Sequence, residues 1–249
     1  MSLRRQVLTV VLLSLAACYS TPKKDPNTPS ASEIYVQKGV QYMETGQLEF
    51  AMQDLQHAID LDGKNVEAHN AMAVLYERLN RPLDADKHYQ RALSLDSDNA
   101  STLNNYGRFL CGQGHYEKSM QYFNQVIESK LYPLPWVALT NAGLCARSSG
   151  RRKEGEEYLR KALEANPTFG PALLGMAKLS LESGQYMSAR AFLQRAEATG
   201  PLNADGLWLG VQAEHALGNE EAASGYLNDL RSRFPDSREA AHARKLHLN

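Results

Sequence analysis

Only three cysteines occur in 249 residues, so their positions matter more than their number. Neither sign of charge dominates: 27 Lys+Arg stand against 28 Asp+Glu, for a formal charge of -1. Phosphate binding needs a basic face, so this balance argues against nucleic acid as the main partner. At 43% hydrophobic and 22% charged residues the chain is neither a disordered tail nor collagen-like nor a polytopic membrane protein. Chemistry is missing as well: there is no Gly-rich phosphate loop, dinucleotide fingerprint, paired-histidine zinc helix or nucleophile elbow. The histidines are scattered, and His242 and His247 do not stack on one helix face. Acid pairs such as Glu156-Glu157 and Glu220-Glu221 begin helices, where they suit the helix dipole. We therefore expect no catalytic residue, no metal site and no cofactor. Length alone suggests one or two domains.

The first segment present is a targeting signal. Arg4 and Arg5 precede an apolar run from Val7 to Leu15 that is too short to span a bilayer. The run ends in Leu15-Ala16-Ala17-Cys18, which resembles the bacterial lipobox. That resemblance implies removal of residues 1–17 and lipidation of Cys18, which would place the protein on a membrane through its N-terminal lipid. Two or three acyl chains hold far more firmly than one. Tyr19, where an Asp would signal inner-membrane retention, points to the outer membrane, facing the periplasm. The Pro-rich stretch up to residue 31 reads as an extended tether.

A period of 34 residues organises the rest. Small residues recur at Gly39, Ala73, Gly107, Gly143 and Ala177, and again at Ala51, Ala85, Ser119, Gly155, Ala189 and Ala223. Four positions after each of the second series comes a large residue: Leu55, Tyr89, Phe123, Leu159, Leu193 and Leu227. This pattern resembles the tetratricopeptide repeat. The physical reason is that two antiparallel helices need small side chains where they touch and large ones between successive pairs. The resemblance implies an all-α superhelical solenoid of six helix-turn-helix repeats over residues 32–235, starting near 32, 66, 100, 136, 170 and 204. A capping helix follows over 236–249, with Asp236 or Ser237 as its N-cap. Two departures stand out. Tyr42, Tyr76 and Leu110 hold the large position of the first helix, whereas Ala146, Ser180 and Glu214 do not, so the later pairs should pack differently. Two extra residues also interrupt repeat three within Ser129–Pro135 and should bend the solenoid.

With no chemistry, function must lie on a surface. In proteins of this repeat type the first helices line a concave groove. Carrying those positions across gives Asn70, Val74 and Glu77 in repeat two, Asn104, Arg108 and Cys111 in repeat three, and Thr140, Leu144 and Arg147 in repeat four. Repeats five and six add Leu174, Lys178, Leu181, Trp208, Gln212 and His215. Amides would pair with an extended peptide's backbone, Arg with its acids and aliphatic groups with its side chains. Cys111 and Cys145 lie on adjacent first helices whose axes are about 8–10 Å apart. Bridged cysteines have Cα atoms within about 7 Å, so two small unbridged side chains are expected there over a disulfide.

More particular stretches follow: Asn104-Asn105-Tyr106-Gly107-Arg108-Phe109-Leu110, Leu131-Tyr132-Pro133, Asn141-Ala142-Gly143-Leu144-Cys145, Leu207-Trp208-Leu209-Gly210-Val211 and Phe234-Pro235-Asp236-Ser237. Together with signal, lipobox and repeat count they resemble the PilW/PilF type IV pilus biogenesis family. The resemblance implies a monomeric, non-enzymatic outer-membrane pilotin whose partner is the pilus secretin subunit, supporting secretin multimerisation and twitching motility. The alternative is a repeat lipoprotein serving outer-membrane barrel assembly or cell-wall synthesis.

Overall fold

The computed structural model describes residues 28–129 and 132–245. The signal segment, Cys18 and the tether as far as residue 27 lie outside the described residues, as do Lys130, Leu131 and residues 246–249. Thirteen helices and no strand occur among the described residues. They form six antiparallel pairs: α1 (Ala31–Glu44) with α2 (Leu48–Leu61), α3 (Val66–Arg78) with α4 (Pro82–Leu95), and α5 (Ala100–Gly112) with α6 (Tyr116–Glu128). Then come α7 (Pro135–Ser148) with α8 (Arg152–Ala165), α9 (Gly170–Glu182) with α10 (Tyr186–Glu197), and α11 (Ala204–Ala216) with α12 (Glu220–Arg233), before α13 (Arg238–Lys245). No helix among the described residues is long and apolar enough to cross a membrane.

Local chemistry sets the boundaries. Ser30, Asn65, Asn99 and Asn203 accept a backbone N–H from the first turn of α1, α3, α5 and α11, satisfying one of the open donors of each. Every first helix ends the same way. The amides of Gln47, Arg81, His115, Arg151, Gln185 and Asn219 donate back to the carbonyls of Tyr42, Tyr76, Leu110, Ala146, Ser180 and Glu214 at 2.8–2.9 Å. The residue before each of these donors takes a left-handed conformation. It is glycine in five repeats and Asn80, at φ 55°, in repeat two.

Helix pairs then close on the small residues. A Cβ added at Gly107 would sit 2.8 Å from the Phe123 ring, and one at Gly39 2.6 Å from Leu55. Repeat four carries glycine at both small positions, and there even backbone meets backbone: a Cβ on Gly155 would lie 2.8 Å from the Gly143 carbonyl oxygen. The large residues Leu55, Tyr89, Phe123 and Leu159 are fully buried and pack against the next repeat, so the core is a series of small clusters rather than one. At the far end Ala240 and Ala243 of α13 are buried against repeat six, and Ser237 caps that helix through the Ala240 amide.

The later repeats do pack differently at the position that lost its large side chain. Glu214 is 5% exposed, yet Arg190 of the preceding repeat grips both its oxygens and Asn219 Nδ2 donates to it at 3.1 Å. A buried carboxylate persists only when paired in this way.

We predict that Gly155→Ala lowers stability by about 1–3 kcal/mol through overpacking, measured by urea unfolding, although Ala51, Ala85, Ala189 and Ala223 occupy the same position elsewhere. An unchanged midpoint would show that α7 and α8 can separate without cost.

Candidate partner-binding groove

Successive first helices approach closely, backbone to backbone, along the whole array, whereas successive second helices stand farther apart and meet only through side chains, as Tyr158 of α8 does Asn124 of α6. The stack therefore curves with the first helices on its inner face. That face carries the polar groups singled out from the sequence, and most of them bond across repeats. Asn105 donates to Asn70 at 3.2 Å and Asn141 donates to Asn104 at 2.9 Å. Arg108 pairs with Glu77 at 3.1 Å, Arg147 with Glu182 at 2.5 Å and Lys178 with Asp205 at 3.5 Å. Glu77 also accepts from Tyr89, whose hydroxyl is pushed well above its usual pKa, first by burial and then by the Glu77 charge.

Asn105, Asn141, Glu182 and Asp205 are thus inner-face residues that single-position mapping missed. A signal existed: complementary side chains recur about one repeat apart in sequence, as in Arg147 and Glu182. Gln212 is exposed and Trp208 half-buried. Both line a cavity of about 270 Å³ between α9, α11 and α13, where the Trp208 ring meets His242 edge-on at 5.3 Å. Other predicted contacts turn inward. Thr140 is 2% exposed and its hydroxyl donates to the Trp136 carbonyl at 2.7 Å, so it has nothing to offer a partner. Val74 packs into the core clusters of the first three repeats, and Leu144 and Leu174 press on the glycines of the next first helix. Separately, five large apolar residues of the first two repeats stay exposed: Ile34, Phe50, Leu61, Leu79 and Leu83.

The two cysteines require a correction. Cys111 and Cys145 form a disulfide with Cα atoms 5.8 Å apart. The expectation against it used the spacing of helix axes, but Cα atoms on facing sides lie about 2.3 Å inside each axis. Corresponding positions of α5 and α7, such as Gly107 and Gly143, are 36 residues apart whereas the cysteines are 34 apart, so the bridge joins positions two residues out of step on the facing sides of the two helices. Between α3 and α4 sits another close pair, with His69 Nδ1 3.1 Å from His88 Nδ1 and His69 Nε2 3.3 Å from the Gly63 carbonyl. Burial lowers both pKa values. At His69 the Gly63 carbonyl partly offsets that effect and Arg91 adds to it, and at His88 His69 is the next contributor. Among the described residues no cluster of three or more His, Cys, Asp or Glu is placed to hold a metal ion.

A solenoid whose inner face is built of paired polar side chains is a binding scaffold, and the class is the tetratricopeptide-repeat protein. Family models described as tetratricopeptide or TPR repeat match residues 39–80, 66–99, 88–121 and 146–208. Along nearly its whole length the chain is 30% identical to the type IV pilus assembly protein PilF of Pseudomonas aeruginosa, covering 96% of this chain and 97% of that one. The crystal structure of PilW, a widely conserved type IV pilus biogenesis factor, superposes with a TM-score of 0.74 at 32% identity over 87% of this chain and 99% of its own. The Pseudomonas aeruginosa PilF structure gives 0.70 at 31%, over 86% and 97%. The chain belongs to the PilW/PilF family of type IV pilus biogenesis proteins.

Two predictions follow from this geometry. Because the disulfide closes a span of 34 residues, its removal should cost about 2–4 kcal/mol. Reductant should shift the denaturation midpoint of the natural protein and leave that of Cys111→Ser/Cys145→Ser unmoved; equal midpoints with and without reductant would contradict the bridge. For the histidine pair, folding lowers the pKa from 6.5, so stability is full above that pH and is lost as pH falls below it, where the unfolded chain takes up protons first. Tm measured from about pH 7.5 to 5.5 should fall more steeply in the natural protein than in His69→Gln/His88→Gln, and parallel curves would count against it.

Proposed function

We propose that this chain is a monomeric, non-catalytic outer-membrane lipoprotein of the pilotin type. It is anchored through Cys18, binds pilus secretin subunits through its repeats and promotes their localisation and multimerisation, and so supports pilus biogenesis and twitching motility. The observation that carries this reading is the match to type IV pilus relatives along almost the full length of both chains.

The inner face supplies a physical rationale. A client segment entering there has to exchange the asparagine pairs and ion pairs for its own contacts, so only the difference between the two sets counts toward affinity. Polar groups already satisfied keep the empty groove soluble and make binding selective, since a client that fails to replace a broken pair leaves it unsatisfied. The resulting modest affinity suits a tethered carrier, because holding client and carrier at one membrane raises their effective concentration.

In a strain lacking the gene, secretin monomers should remain abundant while heat- and detergent-resistant multimers become scarce, as seen on immunoblots. Cys18→Ala should yield a folded protein that no longer fractionates with the outer membrane. Normal multimers in the first strain, or unchanged fractionation in the second, contradict the secretin and lipid-anchor parts of this reading respectively.

A further inference from the structure

Repeat two departs from the later repeats at two facing positions. In repeats three to six a leucine of the first helix is followed 19 residues later by an aromatic ring of the second: Leu103 and Tyr122, Leu139 and Tyr158, Leu173 and Phe192, Leu207 and Tyr226. Each leucine is buried, and its ring packs against the same core cluster. Repeat one, at the end of the stack, has Tyr35 and Asp54 there, and repeat two has His69 and His88. The later repeats show that the fold needs only apolar contact at this pair of positions. Two imidazoles are therefore not a packing requirement, and burying them costs free energy that an apolar pair would not.

The two rings face each other through the same atom. His69 Nδ1 lies 3.1 Å from His88 Nδ1, with ring centroids 5.3 Å apart. The Gly63 carbonyl, 3.3 Å from His69 Nε2, can only accept, which puts the His69 proton on Nε2 and leaves its Nδ1 as a bare lone pair facing His88. A backbone carbonyl on the far nitrogen is how metal-ligating imidazoles are commonly held. With zinc about 2.0–2.1 Å from each nitrogen and tetrahedral angles, two imidazole nitrogens stand about 3.3 Å apart, so the pair is already close to that bite. Burial keeps both rings in the neutral form that a metal requires. His69 is buried but His88 only half so, which gives the pair a side open to solvent. Asp84 and Lys87 act on His88 and Arg91 on His69. Asp84 is engaged by Arg81 at 2.7 Å and Lys87 at 3.7 Å, so the two ring nitrogens are what the site offers.

We propose that His69 and His88 form a binding site for a divalent transition-metal ion of the zinc type, which ties α3 to α4 within repeat two. Without metal, His88 Nδ1 donates its proton to His69 Nδ1. On binding, that proton passes through water to His88 Nε2, both Nδ1 lone pairs ligate the ion, and no proton is released at neutral pH. Water fills the remaining coordination positions on the open side. The site uses none of the groove residues and does not depend on the secretin reading.

The test is zinc titration of the metal-stripped, untagged full chain near neutral pH, read by calorimetry and by thermal unfolding, with Cys18→Ser throughout so that no thiol competes. One zinc ion per chain should bind and raise Tm. His69→Leu/His88→Tyr, which restores the pair found in the later repeats, should fold with an unchanged or raised urea midpoint and lose that ion. His88→Gln, at the half-buried member alone, should lose it too, whereas His242→Gln should keep it. Ring nitrogen NMR of the zinc-loaded protein should show both imidazoles coordinated through Nδ1 and protonated on Nε2. No binding by the chain with both histidines, undiminished binding by His69→Leu/His88→Tyr or His88→Gln, or coordination through Nε2 each overturns the proposal and leaves the pair as a hydrogen bond alone.

Discussion

Everything in this molecule depends on how closely two antiparallel helices can approach. At the small positions there is no room for another carbon atom: a methyl group on Gly143 or Gly155 would collide with the carbonyl of the other. That approach fixes the height at which each large residue leaves the pair, and therefore where it meets the next repeat. Leu55, Tyr89, Phe123, Leu159, Leu193 and Leu227 are all buried at that junction. Repeating the same unit at a near-constant period then stacks the first helices against one another and leaves the second helices apart. Curvature, inner face and outer face all follow from this packing.

Because first helices meet at equal heights, side chains one repeat apart come into register on the inner face. The same close approach of first helices that sets Arg147 against Glu182 brings Cys111 within bonding reach of Cys145, two positions out of step with the 36-residue spacing of their repeats. A polar ladder and a covalent staple are two outcomes of one geometry. The staple joins repeats three and four, the junction at which the sequence carries two extra residues, and it holds the inner edge of that junction. If the inner face receives a client, as we propose, this rigidity fixes the spacing of the groups that client must match.

Much of this was legible in the residues themselves. Positions of small and large side chains state the repeat, and Gly46, Gly114, Gly150, Gly184 and Gly218 mark the turns that the backbone confirms with positive φ. Pairing was less legible. Reading Thr140 as a groove residue followed from its place in the repeat, but its hydroxyl bonds back to its own helix, a choice made by local geometry rather than period. The disulfide was underestimated because axis spacing stood in for Cα spacing. Glu214 was visible as a departure, but its partner Arg190 lies on the second helix of the preceding repeat, where a search within one helix would not look.

The central claim is that the inner face captures the client and does so at the expense of its own cross-repeat pairs. Site-specific photocrosslinking in pilus-forming cells addresses it directly, with the reactive side chain placed at Arg108 or Gln212 on the inner face and at Gln56, an exposed residue of the second helix α2, on the outer face. This account predicts secretin adducts from the two inner positions and none from the outer one. Adducts from Gln56 alone, or no adduct from either inner position while secretin multimers form normally, would contradict it.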